Sequence, residues 1–348
     1  MNVKINFDSG VAAAMGAALL FGAGTPLAKL LLGSVGPWML AGLFYLGSGV
    51  GLMLYRMVAK ASPVKLAEGE ALWLAGATLA GGVVGPLLLM AGLSGMPASG
   101  ASLLLNAEGV FTAVLAWVAF RENFDRRIAL GMALIAAGAV VLSWPGEVSF
   151  AGVWPALAVL GACFAWGVDN NLTRKVSLND ATWIASVKGL AAGSVNLALA
   201  LAVGDEISGG ATVAAAMAVG FLAYGVSLAL FVVGLRHLGT ARTGAYFSVA
   251  PFFGSALALM CGEPITLGLA TAGLLMGAGV WLHLTEKHEH AHDHEAMEHD
   301  HEHDHDEHHQ HVHVDGQLTI GKHAHPHRHD PMSHIHAHYP DAHHRHSH

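Results

Sequence analysis

The sequence is poor in charge, in cysteine and in catalytic motifs. Asp, Glu, Lys and Arg make up 12% of its 348 residues, about half the fraction found in soluble domains. The two cysteines, Cys163 and Cys261, lie inside apolar stretches, so they build neither a disulfide framework nor a CxxC metal site. A Walker A loop and an HExxH motif are absent, which argues against an ATP-driven pump and a metalloprotease. We therefore expect a protein that is not an enzyme and does not bind nucleic acid.

Long apolar runs occupy most of the chain instead. Hydrophobic residues make up 53% of the sequence, and 43 residues are glycine, as in helices that pack closely within lipid. Ten of these runs come near the ~20 residues with which a helix crosses the hydrocarbon core. They lie at 11–32, 37–58, 70–92, 98–119, 127–145, 150–172, 182–203, 212–235, 241–261 and 266–284. The sequence therefore predicts an all-α polytopic membrane protein with ten transmembrane helices.

The second five segments repeat the first five. Gly92 and Phe111 recur as Gly234 and Phe253, 142 positions later in each case. A unit of five segments crosses the membrane an odd number of times, so its second copy enters from the opposite side. Inverted repeats of this kind are typical of secondary transporters, whose sites lie between the two halves. We predict two inverted five-helix repeats, 1–146 and 147–285, and a separate tail, 286–348.

The basic residues favour one orientation in the membrane. One set of loops and both ends of the helical region hold 12 of them, whereas the opposite loops contribute Lys29 alone. The 12 are Lys4, Arg56, Lys60, Lys65, Arg121, Arg126, Arg127, Arg174, Lys175, Arg236, Arg242 and Lys287. Because cytoplasmic loops are enriched in Lys and Arg, both termini are predicted to be cytoplasmic. We expect a bacterial inner membrane as the location, and a homodimer remains an option.

Two paired stretches resemble a known family. They are EGVFTAVLAWVAFRE (Glu108 to Glu122) and APFFGSALALMCGE (Ala250 to Glu263). They are similar to the paired helices of EamA-type members of the drug/metabolite transporter superfamily. The resemblance covers roughly residues 10–285 and implies a central cavity lined by segments 1–4 and 6–9. It also implies transport of small metabolites, many of them outward. The stretch Trp38 to Gly49 lacks the arginine that many relatives carry near this helix start.

Segment 4 carries the sharpest candidate for a transport site. Glu108 lies near its middle, and Thr112 shares its face at i+4 spacing. A carboxylate inside the membrane is costly, so Glu108 is predicted to take up and release a proton or to bind a cation. The alternative is a protonated carboxyl that only joins two helices. Asn106 lies on another face with Ser99, Ser102, Gly109 and Ala113, and this row is better explained as a packing seam.

A second candidate joins segments 6 and 7. Asp169 and Lys188 reach similar depths in an antiparallel hairpin, so a salt bridge is expected, with Asn170 extending the polar group. The pair is predicted to act as a gate or a substrate contact, although it could also merely neutralise itself. Tyr246 is a candidate for the cavity lining or for an interface anchor.

From residue 286 onward the chemistry changes to histidine and acid. The tail holds 23 of the 25 histidines and is predicted to be disordered. Neutral imidazole is a ligand for zinc, nickel, cobalt and copper, so the tail is expected to bind these ions, while transport itself needs no cofactor. The candidate ligands are His292, His294, His299, His301, His303, His305, His308, His309, His311 and His313.

Three functions remain open after these observations. The leading one is a proton- or cation-coupled exporter of a small metabolite. The second is an exporter of nickel, cobalt or zinc, or a transporter that metal regulates through the tail. The third is a membrane-anchored metal buffer, against which the polar groups of segments 4, 6 and 7 argue.

Overall fold

In the computed structural model, the described residues are 9–120, 126–143, 150–176, 179–206, 209–238 and 246–284, with four short strands in the tail. The chain divides into two compact units, Met1–Glu286 and Lys287–His348. The first unit is helical throughout its described residues. In its long apolar runs, apolar and polar residues do not alternate with the period of two that is typical of strands. The runs form helices instead.

Thirteen α-helices and two π-helical segments make up the described part of the first unit. The first half contains α1 (Ser9–Leu31), α2 (Pro37–Val58), α3 (Glu70–Ala77), the π-segment π1 (Thr78–Val84), α4 (Gly85–Gly95), α5 (Ala98–Leu104), α6 (Ala107–Phe120) and α7 (Arg126–Ser143). The second half contains α8 (Phe150–Thr173), α9 (Ala181–Ala202), α10 (Gly210–Gly220), the π-segment π2 (Phe221–Val226), α11 (Ser227–Leu238), α12 (Ala250–Met260) and α13 (Leu267–Leu284).

Several of these helices are long and apolar enough to cross a membrane. Among the described residues there are seven such spans, three of which join consecutive elements, Glu70–Ser94, Ala98–Leu115 and Gly210–Gly234. Three shorter apolar helices accompany them, Ala129–Ser143, Ala250–Met260 and Leu267–Leu282. The chain is therefore an integral membrane protein. The predicted segment ends agree with the observed ones to within about three residues wherever the ends are described.

The helices are interrupted at matching places in the two halves. A π-helix widens the third predicted segment at Thr78–Val84 and the eighth at Phe221–Val226, and the spacing of 142 residues superposes these two stretches. A turn breaks the fourth segment at 105–106, and another lies at 248–249. π-Segments often mark functional positions in helices. Pro86 and Pro251 directly follow irregular backbone, whereas α1 continues past Pro26.

Helices of the two halves pack against each other in corresponding pairs. The helix α1 packs against α11 and α12, and α8 packs in the same way against α4 and α6. In addition, α2 packs against α9, and α7 packs against α13. Glycine permits the closest approach: a Cβ placed on Gly189 would lie 2.7 Å from the backbone of Gly49. Close backbone approach at small residues is how helices associate in lipid, where the hydrophobic effect adds nothing.

Four short strands are described in the tail. They are β1 (Glu289–His294), β2 (Met297–His303), β3 (His323–His329) and β4 (Met332–Ala337). Antiparallel pairing joins β1 to β4 and β2 to β3. The alternation of histidine with other residues in these segments has the period of a strand. The candidate ligands from His305 to His313 lie outside the described residues.

The crossing of α2 and α9 predicts a strong effect of one methyl group. Gly189→Ala should lower the free energy of unfolding by about 1–3 kcal/mol, because its Cβ would meet backbone that has no room to yield. The control is Gly109→Ala, since no atom lies within 4 Å of a Cβ placed there. Melting of the solubilised protein, followed by size-exclusion chromatography, measures both. A Gly189→Ala protein as stable as wild type would contradict this close crossing.

Candidate functional site

Polar side chains from α6, α8 and α9 come together within the helical unit. Asn170 donates through Nδ2 to Glu108 Oε1 at 2.9 Å and to Thr112 Oγ1 at 3.1 Å. Asn171 donates to the Thr112 carbonyl at 3.1 Å. The structure thus joins three predicted residues, Glu108, Thr112 and Asn170, in one hydrogen-bonded group. We call it, with Asn171, the Glu108 group.

The ion pair predicted between α8 and α9 is present. Lys188 Nζ lies 2.5 Å and 2.7 Å from the two carboxylate oxygens of Asp169. The hydroxyl of Thr173 also donates to Asp169, at 2.8 Å. Both charged side chains are nearly buried, with exposed fractions of 14% for Lys188 and 11% for Asp169. Because removing either partner would leave a buried charge unpaired, this pair fixes α8 against α9.

The carboxylate of Asp169 lies directly over the backbone of π1. A Cβ at Gly81 would stand 1.9 Å from Asp169 Oδ2, and one at Gly85 would stand 2.8 Å from the indole nitrogen of Trp166. Both positions therefore require glycine. This close approach brings the ion pair beside an irregular stretch of backbone.

Proline explains why that stretch needs side-chain donors. In π1 the N–H of Gly85 donates to the carbonyl of Ala80, five residues earlier. With the same spacing, the carbonyl of Gly81 would accept a hydrogen bond from the N–H of residue 86. Pro86 has no N–H. Two side chains supply the missing bonds to the Gly81 carbonyl: Tyr45 Oη at 2.7 Å and Trp166 Nε1 at 2.9 Å.

The neighbouring carbonyl of Gly82 has a side-chain partner as well. Asn196 Nδ2 donates to it at 2.9 Å, and the Asn196 side chain is fully buried. Sequence reasoning missed Asn196. The sequence signal that could have found it is Gly81-Gly82 followed by Pro86. Because proline has no N–H, carbonyls one turn before it lack a backbone donor and must accept hydrogen bonds from side chains.

Aromatic rings form the other side of this region. Tyr224 is the hub, with ring centroids 5.4 Å from Tyr45 and 5.8 Å from Phe21. The complete set, which we call the aromatic cluster, comprises Phe21, Phe44, Tyr45, Tyr224, Phe231 and Phe247.

Some predicted residues have other surroundings. Asn106 is buried and donates to the Leu103 carbonyl at 2.9 Å, so it supports the turn at 105–106. Ser99 and Ser102 are buried as a packing seam requires, but Gly109 is exposed and touches nothing. Gly109 is therefore a correction to the predicted seam. Tyr246 is 37% exposed and is outside the described ring pairs.

An apolar crevice of about 450 Å³ lies apart from these polar groups. It runs between α6, α7 and α8, and Val110, Ala139 and Leu157 are typical of its walls. Ser143 is its one polar side chain within the described residues. Such a lining offers a polar solute almost no hydrogen bonds, so we place the candidate site at the Glu108 group.

Lys29 and Glu263 hold the turn between α4 and α5 from its two sides. Lys29 Nζ donates to the carbonyl of Leu93 at 2.7 Å. The Glu263 carboxylate accepts from the N–H groups of Ala98 and Ser99 at 2.8 and 2.9 Å. A cation at a helix C-terminus and an anion at an N-terminus both complement the helix dipoles.

A second polar lock joins the end of α2 to the start of α9. Arg56 is 6% exposed, and its Nη1 lies 2.8 Å from Asp180 Oδ1 and donates to Thr182 Oγ1 at 2.8 Å. Asp180 also caps α9 by accepting from the N–H groups of Thr182 and Trp183. Partial burial by itself raises the pKa of Asp180. The hydrogen bonds from Thr182 and Trp183 and the hydrogen bond and charge of Arg56 together lower it by more, so the pKa of Asp180 lies below its usual value.

The buried ion pair predicts strongly non-additive mutations. Asp169→Leu and Lys188→Met should each lower the free energy of unfolding by about 3–5 kcal/mol, because each leaves one buried charge without its partner. The double variant should recover most of this loss. Thermal unfolding of the four proteins in one detergent gives the double-mutant cycle. Losses that simply add would show that the two charges do not interact.

Glu263 predicts a loss of stability in acid. Partial burial raises its pKa, whereas the hydrogen bonds from Ser99 and Ala98 and the charge of Lys29 lower it, and the net pKa is below the usual value. Its contribution is therefore complete above the unfolded pKa and disappears as the pH falls through the folded pKa. Melting temperatures measured from about pH 7 to about pH 3 should fall less steeply for Glu263→Gln. An unchanged slope would contradict this assignment.

Comparison with known proteins agrees with this architecture. The EamA-like transporter family matches residues 8–144. An uncharacterized transporter of Methanothermobacter thermautotrophicus is 29% identical over 285 residues, which cover 76% of this chain and 83% of that protein. A solved crystal structure has the same fold, with a TM-score of 0.60 at 18% identity, over 79% of this chain and 95% of the other. The similarity to the EamA-like transporter family thus covers residues 8–144, and together with the transporter relative it indicates a membrane transporter and not an enzyme.

Proposed function

We propose that this protein is a secondary active exporter of a small metabolite, driven by a proton or cation gradient. The observation that carries the proposal is the placement of Glu108: a carboxylate inside a membrane-spanning helix, hydrogen-bonded to a second helix by Asn170. Charged groups at such a depth are costly and are kept where they move ions or bind substrate. The adjacent backbone, freed at π1 and held by side chains, is of the kind that transporters use around their sites.

The proposal includes ten transmembrane helices arranged as two inverted repeats, with both termini in the cytoplasm. Its support is the correspondence between halves. Exchanging them converts the contacts of α1 with α11 and α12 into those of α8 with α4 and α6. The matching positions of π1 and π2 point the same way. The orientation rests on the basic loops, in accordance with the positive-inside rule.

Within this scheme Glu108 carries the coupling ion, and Asp169 with Lys188 acts as a gate. Ionised Glu108 would bind a proton or a cation from one side of the membrane and release it to the other. The Asp169–Lys188 pair can open only if both charges find new partners, because the low dielectric penalises a lone charge. Alternating access then needs a change in which α8 and α9 separate at this pair.

Glu108→Gln is the direct test of coupling. It keeps the hydrogen-bond acceptor for Asn170 but removes the ionisable group, so gradient-driven transport should fall by at least about tenfold. The matched control is Glu263→Gln, which makes the same change outside the spanning helices. Transport is measured in proteoliposomes with an imposed pH or sodium gradient. Full activity of Glu108→Gln would remove Glu108 from the coupling mechanism.

Cells with and without the protein identify the substrate class. They are challenged with amino acids, nucleosides, nickel, cobalt, zinc and copper, using the full chain and a chain that ends after Glu286. Export of a metabolite should survive truncation of the tail, since every polar group of the proposed site lies before it. If the full-length protein alters tolerance to none of these compounds, the export proposal loses its support.

A metal-binding role of the tail is the second candidate. The observation in its favour is strand register: His299 lies opposite His327, His301 opposite His325, and His303 opposite His323. Imidazole nitrogen is a ligand for zinc, nickel, cobalt and copper. We propose that these paired histidine segments bind such ions and so regulate transport.

A register variant separates this proposal from unspecific chelation. Exchanging each histidine of His323, His325 and His327 with the residue that follows it keeps the composition but removes the pairing of histidine with histidine in this register. Titration of the purified full-length variant with Ni²⁺ alone should then show weaker binding than wild type. Equal affinity and stoichiometry would indicate a flexible chelator in which strand pairing is irrelevant.

A further inference from the structure

The apolar crevice between α6, α7 and α8 opens to the side of the helical unit. Val140 of α7 and Leu157 of α8 line it and are exposed, whereas Ala139 in its wall is buried. These residues belong to apolar helices of an integral membrane protein, so the opening between them faces the hydrocarbon of the bilayer and not water. The crevice is therefore continuous with the lipid around the protein.

Neither water nor empty space suits this volume. A buried water molecule needs two to four polar partners, and the described lining offers the hydroxyl of Ser143 alone. Empty apolar volume is unfavourable in proportion to its size, because the atoms of its walls lose dispersion contacts. Apolar cavities of about 150 Å³ stay dry and bind small apolar molecules. The crevice, at about 450 Å³, has room for a larger apolar guest.

The shape of the crevice favours a hydrocarbon chain over a helix. Along α7 its lining extends from Ala136 to Ser143, which corresponds to about 10 Å of helix axis. Over that length the volume gives a cross-section of about 45 Å², little more than half that of a helix about 10 Å in diameter. A helix from a second copy of the chain therefore does not fit into it.

One polar atom lies at an end of the crevice. Ser143 Oγ is buried and has no hydrogen-bond partner within the described part of the chain. Ser143 is the last residue of α7, and a spanning helix ends near the headgroup region of the bilayer, where the ester groups of phospholipids lie. An ester carbonyl there would accept a hydrogen bond from this hydroxyl and remove the penalty of burying it without a partner.

We propose that the apolar crevice binds one acyl chain of a membrane phospholipid. The chain enters between α7 and α8, lies against Ala136 and Leu157, and places its ester carbonyl at Ser143. Its inner part contacts Phe111 in α6, the helix that carries Glu108. The bound lipid thus packs on the helix of the candidate transport site, but its binding does not depend on the transport function proposed above.

A phospholipid with a photoreactive diazirine in one acyl chain tests this site on the unmodified full-length protein. The protein is reconstituted in vesicles of phosphatidylethanolamine and phosphatidylglycerol that contain the probe, then illuminated and digested. Two leucines provide the comparison: Leu157 in the crevice is 43% exposed, and Leu274 outside it is 78% exposed. Leu157 should be labelled several-fold more strongly, although it is less exposed. Labelling that follows exposure would show ordinary contact with lipid and overturn the proposal.

Two substitutions in α7 separate the crevice from the remaining lipid-facing surface. Ala136→Phe fills the crevice, whereas Ala133→Phe adds the same ring at an exposed position outside it. Ala136→Phe should reduce the labelling of Leu157 to the level of Leu274, and Ala133→Phe should not change it. Thermal unfolding identifies folded variants, and the smaller change Ala136→Leu repeats the test. Undiminished labelling of Leu157 in folded variants at position 136 would overturn the proposal.

Ser143→Ala tests the polar end of the site. Phospholipid added to the delipidated protein should raise its melting temperature, because the ligand binds the folded state. Loss of the hydrogen bond should weaken this binding by roughly two- to tenfold, and an unchanged response would overturn the contact with Ser143.

Two further outcomes would assign the crevice to another occupant. A free fatty acid with the same diazirine chain is compared with the phospholipid probe in the same vesicles. Labelling of the crevice by the free acid alone would overturn the assignment to phospholipid. Cross-linking between two copies at Ala136, in place of lipid labelling, would overturn it in favour of a protein contact.

Discussion

The structure depends on one constraint of the bilayer: a backbone carbonyl inside it must find a donor within the protein. At Gly81 the chain breaks its own pattern, because Pro86 cannot supply the N–H that the π-register calls for. Tyr45 and Trp166 replace it from two other helices. Because this one N–H is missing, hydrogen bonds to the Gly81 carbonyl join α2 and α8 to π1. Asn196 of α9 donates in the same way to the carbonyl of Gly82.

The candidate site lies beside these side-chain hydrogen bonds to π1. The helices that carry the donors pack closely on π1, and glycine at positions 81 and 85 leaves room for Asp169 and Trp166. The ion pair and the Glu108 group thus stand beside backbone that is already held by polar contacts. Polar groups collected in this way lower the cost of ionisable residues inside the membrane, because Asp169 lies against Lys188 and Glu108 accepts a hydrogen bond from Asn170.

The sequence was informative wherever a pattern is local. Helix positions followed from the length of apolar runs, and the Asp169–Lys188 pair followed from equal depth in adjacent antiparallel segments. Contacts between distant segments were beyond it: Lys29 with Leu93, Arg56 with Asp180, and Asn196 with Gly82 depend on how helices cross.

The contacts on the turn between α4 and α5 have a consequence for how the chain can be recombined. This turn belongs to the first half, yet Glu263 of the second half caps its helix, while Lys29 of the first half holds its other side. The two halves are therefore not interchangeable modules. In a chimaera whose second half comes from a protein without an acid at this position, the N–H groups of Ala98 and Ser99 would lose their acceptor. The start of α5 thus depends on a side chain that lies about 165 residues further along the chain.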